Sequence, residues 1–392
     1  MTAAAAERQS NAFLFSFALA WAGGAVAYTA FLTLLLPLRF TEIAGSSDVG
    51  WLGLSATVGA IFASVGHIFW GWVSDRWGRR RAWAVTGLAG SSAALMAVPL
   101  VGEPAALIVL IAVWQLLLNC FLAPLSAYAA DSVPNQQKGI LGGLLSFGPG
   151  AAALSVVAIS LAPPNLADQL GVIVLMVVLF ALPLMAMRRA KPIGAIASAA
   201  HPPRSKAYRR VLIQLWVARL AVQIAEGLLF LFLYYFLREV SGGDLSLTRY
   251  AVTNAVVHLF SIPIALMVGR YSDKSGRRRS ALLLMIGFLM AGLAGMGVAK
   301  DWNMVILSYG LFLIGSNSFL ALHSAFSMQE LRDPRNFGRD LGLFNLTNTL
   351  PSLTTPLLAA IVISQFGYSA LLLGLAAFMI IPAGLIFRTD IP

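Results

Sequence analysis

The chain has 392 residues, 59% of them hydrophobic and only 11% charged, with a mean hydropathy of +0.81. Soluble domains carry about 25% charged residues to wet their surface, so this composition excludes one and requires that most of the surface face lipid. The net charge of +11 does not imply nucleic acid, because the cations lie in short clusters between apolar runs, where they set membrane orientation. Cys120 is the only cysteine, which excludes an intrachain disulfide.

Runs long enough to cross a hydrocarbon core of about 30 Å predict twelve membrane helices. They span 12–37, 49–74, 82–101, 105–130, 139–162, 169–187, 210–237, 249–270, 280–299, 303–330, 341–364 and 367–387. The first run is too long for a signal-peptide core and reads as a membrane helix. It carries Trp21 and Tyr28. The second carries His67 beside Trp70, which reads as packing or gating, and ends in Gly71-Trp-Val-Ser-Asp75-Arg76-Trp-Gly78-Arg79-Arg80-Arg81. Gln115, Asn119 and Ser126 share a face of the fourth, which leads into Ala129-Ala130-Asp131-Ser-Val-Pro134-Asn-Gln-Gln137-Lys138-Gly139. The fifth holds Gly148-Pro149-Gly150. Residues 188–209 are rich in proline, small residues and cations, and predict a cytoplasmic linker between two six-helix bundles, 1–187 and 210–392.

The seventh helix is the unusual one. Of sixteen Asp and Glu residues only Glu226 lies deep in a span, and Arg219 is the only deep cation. With Gln223 they follow i, i+4 and i+7 spacing and share one face, which should turn inward, since ionisable groups avoid lipid. Desolvation favours a protonated carboxyl and a nearby cation opposes it, the balance that a proton-binding group needs. A permanent structural ion pair is the alternative, although seven residues span about 10 Å. Tyr250, Asn254, His258 and Ser261 form a stripe on the eighth helix; Asn317 and His323 lie on the tenth, and Asn345 and Asn348 on the eleventh. Each could be interhelical glue. Together they suit a hydroxylated or otherwise polar solute, and Arg219 leaves an organic anion open.

Placing the N-terminus in the cytoplasm puts 22 of the 27 Lys and Arg on that side, four (Arg39, Arg238, Arg249 and Lys300) opposite, and Arg219 within a helix. Positive charge favours the inside, so both termini are expected to be cytoplasmic, in a cell membrane of bacterial inner-membrane type. The segment at 71–81 recurs as Gly269-Arg-Tyr-Ser-Asp273-Lys-Ser-Gly276-Arg277-Arg278-Arg279, 198 positions later, and Pro134 and Leu141-Gly142 recur as Pro334 and Leu341-Gly342, 200 later. A duplicated six-helix unit follows, and parallel repeats of that kind are a transporter architecture.

Residues 71–81 match every defined position of G-x-x-x-D-R-x-G-R-R/K-R/K, and the chain is identified by it as resembling the major facilitator superfamily. The resemblance implies an all-α membrane protein of two pseudo-symmetric six-helix bundles. Its first, fourth, seventh and tenth helices would line a cavity. It also implies a cytoplasmic lock: Asp75 against Arg79 or Arg80 and the helix starting near Leu341, and Asp273, with Arg277 and Arg278, against the fifth helix near Gly139. Arg76 and Asp131 belong to the same gating set, and Gly71 and Gly78 permit close contact and a sharp turn. The 129–139 segment is similar to sugar-transporting branches, while Gly148-Pro149-Gly150 is a partial match to the motif of proton-driven exporters.

The expected function is secondary transport of a small polar organic solute by alternating access, as a monomer in the bilayer. Proton-coupled symport is the leading form, with Na⁺ as the other coupling ion. The coupling set is Glu226, Arg219 and His258. The substrate set is Trp21, Tyr28, Gln115, Asn119, Gln223, Asn254, Asn317, His323, Asn345 and Asn348. Proton-antiport efflux of drugs or metabolites is the alternative. A non-transporting receptor is disfavoured by the short predicted tails, and an enzyme by the lack of nucleophile, metal-ligand or phosphate-loop motifs. No cofactor or metal is expected.

Overall fold

A computed structural model describes residues 8–44, 48–145, 147–160, 163, 165–187, 206–245, 247–331 and 337–389. The helices are α1 (Asn11–Ala44), α2 (Asp48–Trp77), α3 (Arg80–Ala97), α4 (Pro104–Ser132), α5 (Lys138–Leu145 and then Phe147–Ser160) and α6 (Leu166–Ala186). They continue as α7 (Lys206–Val240), α8 (Leu247–Ser275), α9 (Arg278–Val298), α10 (Trp302–Glu330), α11 (337–366) and α12 (368–387). Among the described residues, eleven helices are long and apolar enough to cross a membrane, and the remaining predicted span, 341–364, is helical within α11. With no water to serve the backbone, each span must bond to itself.

Local chemistry sets the boundaries. Ser10 accepts from the Phe13 N–H at 3.1 Å and Asn165 from the Asp168 N–H at 2.8 Å, each side chain capping an orphan donor of a first helical turn. Gly78 (φ 63°) and Arg79 (φ 55°) make the left-handed turn between α2 and α3, and Gly367 (φ 76°) separates α11 from α12. Two boundaries differ from the sequence reading. α1 runs on past Leu36 through a π-turn at Phe31–Leu35, and its buried Arg39 donates to the Val101 carbonyl at 2.7 Å and pairs with Glu42 at 2.6 Å. α7 begins at Lys206, inside the stretch read as linker, whose other residues, 188–205, lie outside the described set.

The chain divides into two compact units. The first comprises Met1–Pro134, Phe147–His201 and Leu331–Thr349; the second comprises Asn135–Ser146, Pro202–Glu330 and Leu350–Pro392. In the first, α2 and α3 pack on α4, and α1 packs on α6 and the later part of α5. In the second, α8 and α9 pack on α10, the start of α5 packs on α8 and α10, and α12 packs on α7. Each unit therefore includes one helix segment from the other half of the sequence.

Small residues set the closest contacts, as expected where lipid leaves packing to van der Waals fit. A side chain at Gly87 would collide with the backbone of Cys120 and Phe121 on α4, and one at Gly292 with the backbone of Phe312 on α10. Overpacking costs about 1–3 kcal/mol. Gly87→Val and Gly292→Val should each lower the unfolding temperature in detergent, whereas Gly53→Ala, with nothing within 4 Å, should not; thermal unfolding of the three variants checks this. Elsewhere apolar side chains face outward at helical spacing, as at Leu175, Leu179 and Leu182 of α6. Such a stripe suits acyl chains.

Candidate functional site

In the second unit the polar face of α7 turns onto α10. Glu226 Oε1 accepts from Ser316 Oγ at 2.9 Å, and Arg219 Nη1 donates to Ser324 Oγ at 2.7 Å. Ser316 and Ser324 are two turns apart on one face of α10, which matches the spacing of the ionisable residues. The carboxylate and the guanidinium therefore engage separate serines. Gln223 lies between them, half-buried.

The α8 stripe meets α10 alongside. The Tyr309 hydroxyl donates to Asn254 Oδ1 at 2.5 Å, Asn317 Nδ2 donates to Ser261 Oγ at 2.7 Å, and Ser261 Oγ donates to the His258 carbonyl at 2.7 Å. His258 Nδ1 lies 3.0 Å from the Asn254 carbonyl, so that nitrogen carries the proton, and its ring stacks 6.0 Å from Phe230 of α7. Tyr309, Asn254, His258, Ser261 and Asn317 thus form one hydrogen-bonded system between α8 and α10, and Ser316, the neighbour of Asn317 in sequence, serves Glu226. His323 is different. It is fully buried, its Nε2 is 2.9 Å from the Leu215 carbonyl, and its Nδ1 is 3.2 Å from Ser327 Oγ. That arrangement ties α10 to α7.

The other candidates belong to the first unit. His67 Nδ1 lies 2.9 Å from Asn119 Oδ1, and Asn119 Nδ2 donates to the Gln115 carbonyl at 2.8 Å, all three side chains being buried between α2 and α4. Among the described residues Gln115 Oε1 is buried without a hydrogen bond. Trp21 of α1 is half-buried and Tyr28 is exposed. Gly148, from the exporter-like motif, packs on α1 beside Ala25 and Trp21. On α11, Asn348 Nδ2 donates to Asn345 Oδ1 at 2.8 Å, and one residue on, Thr349 meets Ser64 of α2 at 2.6 Å.

The two signature loops make two matching contacts. Asp75 ends α2 and accepts from the N–H groups of Gly338 (2.9 Å) and Arg339 (3.0 Å), the free donors at the start of α11. Arg80 bridges Asp75 at 2.8 Å and Asp131 at 2.6 Å, so Arg80 rather than Arg79 is the cationic partner. Arg76 and Arg79 are exposed. In the second unit Asp273 accepts from Gly139 N (3.1 Å) and Ile140 N (2.9 Å) at the start of α5, with Arg278 beside it in a small pocket and Arg277 exposed. Gly71 abuts Gly338, and Gly269 abuts Gly139.

These pairs correct the register of the repeat. Gly338 plays the part of Gly139, and Gly342, against Ile68, plays the part of Gly143, against Leu266. The α5 and α11 segments therefore correspond at 199 positions, not at the 200 suggested by Pro134 and Pro334. At this register position 131 (Asp) corresponds to position 330 (Glu), so a carboxylate stands at the same place in both halves. The sequence reading missed Ser316, Ser324 and Tyr309. Their spacing on α10 matched that of α7, but hydroxyls also bond their own helix, as Ser126 does to the Leu122 carbonyl at 3.0 Å.

The family profile described as Major Facilitator Superfamily matches residues 11–330 and 215–392. The multidrug resistance protein MdtG of Dickeya zeae is 25% identical over 361 residues, covering 85% of this chain and 83% of that protein. MdtG of Citrobacter koseri is 23% identical, covering 90% and 89%. The human organic anion transporter MFSD10 superposes with a TM-score of 0.77 at 16% identity, covering 96% of this chain and all (100%) of that one. The proton:xylose symporter XylE superposes at 0.69 with 14% identity, covering 97% and 96%.

Proposed function

We propose, on the premise that this chain belongs to the Major Facilitator Superfamily, that it exports small organic molecules in exchange for protons. Membership makes it a multi-pass secondary transporter of small molecules and not an enzyme. Direction is the finer question. The leading expectation from sequence was uptake by symport, and efflux was the alternative. The observation that carries efflux is the full-length likeness to bacterial multidrug resistance proteins, 25% identical across 83% of one such protein. Gly148, seated against α1 in the exporter-like stretch, supports the same reading. The resemblance at 129–139 to sugar transporters rests on one short loop. We place the chain in a bacterial cytoplasmic membrane, with Glu226 as the proton carrier, because its carboxylate faces α10 and bonds Ser316.

Expression in an efflux-deficient bacterium should raise resistance to a subset of toxic organic compounds and should add no growth on sole sugars or organic acids. In inverted vesicles, substrate should accumulate when the lumen is acidified. Gained growth on a carbon source with no gained resistance would sink the reading.

A further inference from the structure

Resting on that reading, we infer that the second unit recognises an aromatic or alkyl-substituted organic cation, held between Glu226 and a file of aromatic rings on α7 and α8. Among the described residues Glu226 Oε1 is occupied by Ser316 and Oε2 has no hydrogen-bonding partner. That oxygen is left for a proton or a ligand. Phe230 follows one turn along α7, half-buried and stacked 6.0 Å from His258. Tyr234 follows after another turn, also half-buried, with its ring 5.3 Å from Tyr250 of α8. Tyr309 is fully buried with its hydroxyl spent on Asn254, and so offers the ligand no open donor.

Four helical residues rise about 6 Å, so a cation beside Oε2 has its substituents against Phe230 and Tyr234. The faces of such rings carry negative electrostatic potential and attract cations, more strongly where water is thin. Charge along α7 is polarised: the acid adjoins the rings, while Arg219 lies about 10 Å the other way and is engaged by Ser324. An anion would have to bind at the Arg219 end, away from the file. Because the same oxygen takes either a proton or the cation, the two occupy the site in turn, and one-for-one exchange moves no net charge.

Tetraphenylphosphonium and tetraphenylborate share a shape and differ in the sign of charge, so they separate the possibilities. Isothermal calorimetry on the purified full chain in detergent should show binding of the phosphonium and none of the borate. Glu226→Gln and Tyr234→Ala should each weaken the phosphonium by about tenfold or more, while Tyr234→Phe retains it. Thermal unfolding without ligand checks that the variants fold, and Phe230→Leu serves if Tyr234→Ala does not. Equal or tighter binding of the borate, binding of neither ion, or unchanged affinity in Glu226→Gln overturns the inference. Phosphonium binding of the expected kind without any gain of resistance in cells would leave this site standing and remove the efflux reading. Resistance without phosphonium binding would do the reverse.

Discussion

Replacing Glu226 with Gln should abolish concentrative transport in proteoliposomes while exchange of labelled for unlabelled substrate continues, for a substrate that does not need the negative charge. The substitution preserves shape, and the amide oxygen can still accept from Ser316 Oγ, which lies 2.9 Å from the native carboxylate. What it removes is a titratable site. One proton crossing a difference of one pH unit supplies about 1.4 kcal/mol, which sustains about a tenfold substrate gradient, and a two-unit difference sustains about a hundredfold one. The variant should reach only equal concentrations on the two sides at any imposed gradient. His258, in the neighbouring polar system, is another coupling candidate, but its Nδ1 is committed to the Asn254 carbonyl, so His258→Gln should leave coupling in place. A Glu226→Gln protein that still builds a gradient would remove Glu226 as the carrier. Imposing Na⁺ and proton gradients separately identifies the coupling ion in the same assay.

The twelve spans were legible because lipid leaves the backbone no alternative to helix, and the hydropathy signal is correspondingly strong. The α7 face was legible for a related reason: Arg219 and Glu226 are costly in lipid, and their spacing shows which way the helix must turn. Contacts between distant segments were not legible. Nothing local shows that Asn135–Ser146 packs with the second unit or Leu331–Thr349 with the first. The prolines at 134 and 334 gave a register of 200, but backbone approach at Gly139 and Gly338 fixes it at 199, because a loop absorbs one residue without moving the helix. His323 illustrates a further limit. Its position on α10 suggested a ligand, and only coordinates show its nitrogens facing the Leu215 carbonyl and Ser327. Serine hydroxyls were overlooked because their type says little about whether they reach across to a neighbour.

Removing the Asp75 carboxylate should have the second large effect, on both transport and local stability. The side chain is only 2% exposed, and it receives two backbone N–H groups of α11 and the Arg80 guanidinium. Hydrogen bonds to a charged group contribute about 1.5–3 kcal/mol each, and breaking one partner out of a buried ion pair costs about 3–5 kcal/mol. Arg80 retains Asp131 at 2.6 Å, which holds the loss near the lower figure, about 3 kcal/mol, or roughly a hundredfold in the local opening equilibrium. In Asp75→Ala, amide hydrogen exchange at Gly338 and Arg339 should accelerate by that order, and transport should fall at least tenfold as the contact between α2 and α11 ceases to hold one stage of the cycle. Asp273→Ala should do less to Gly139 and Ile140, since Asp273 accepts their two N–H groups but, among the described residues, is not bridged by an arginine as Asp75 is by Arg80. A double substitution tests the contact further: adding Arg80→Ala to Asp75→Ala also removes the 2.6 Å bridge to Asp131 and should be worse than Asp75→Ala alone. Unchanged exchange at residues 338 and 339 in Asp75→Ala would show that the glycine contact between Gly71 and Gly338, and not the carboxylate, fastens α11 to α2.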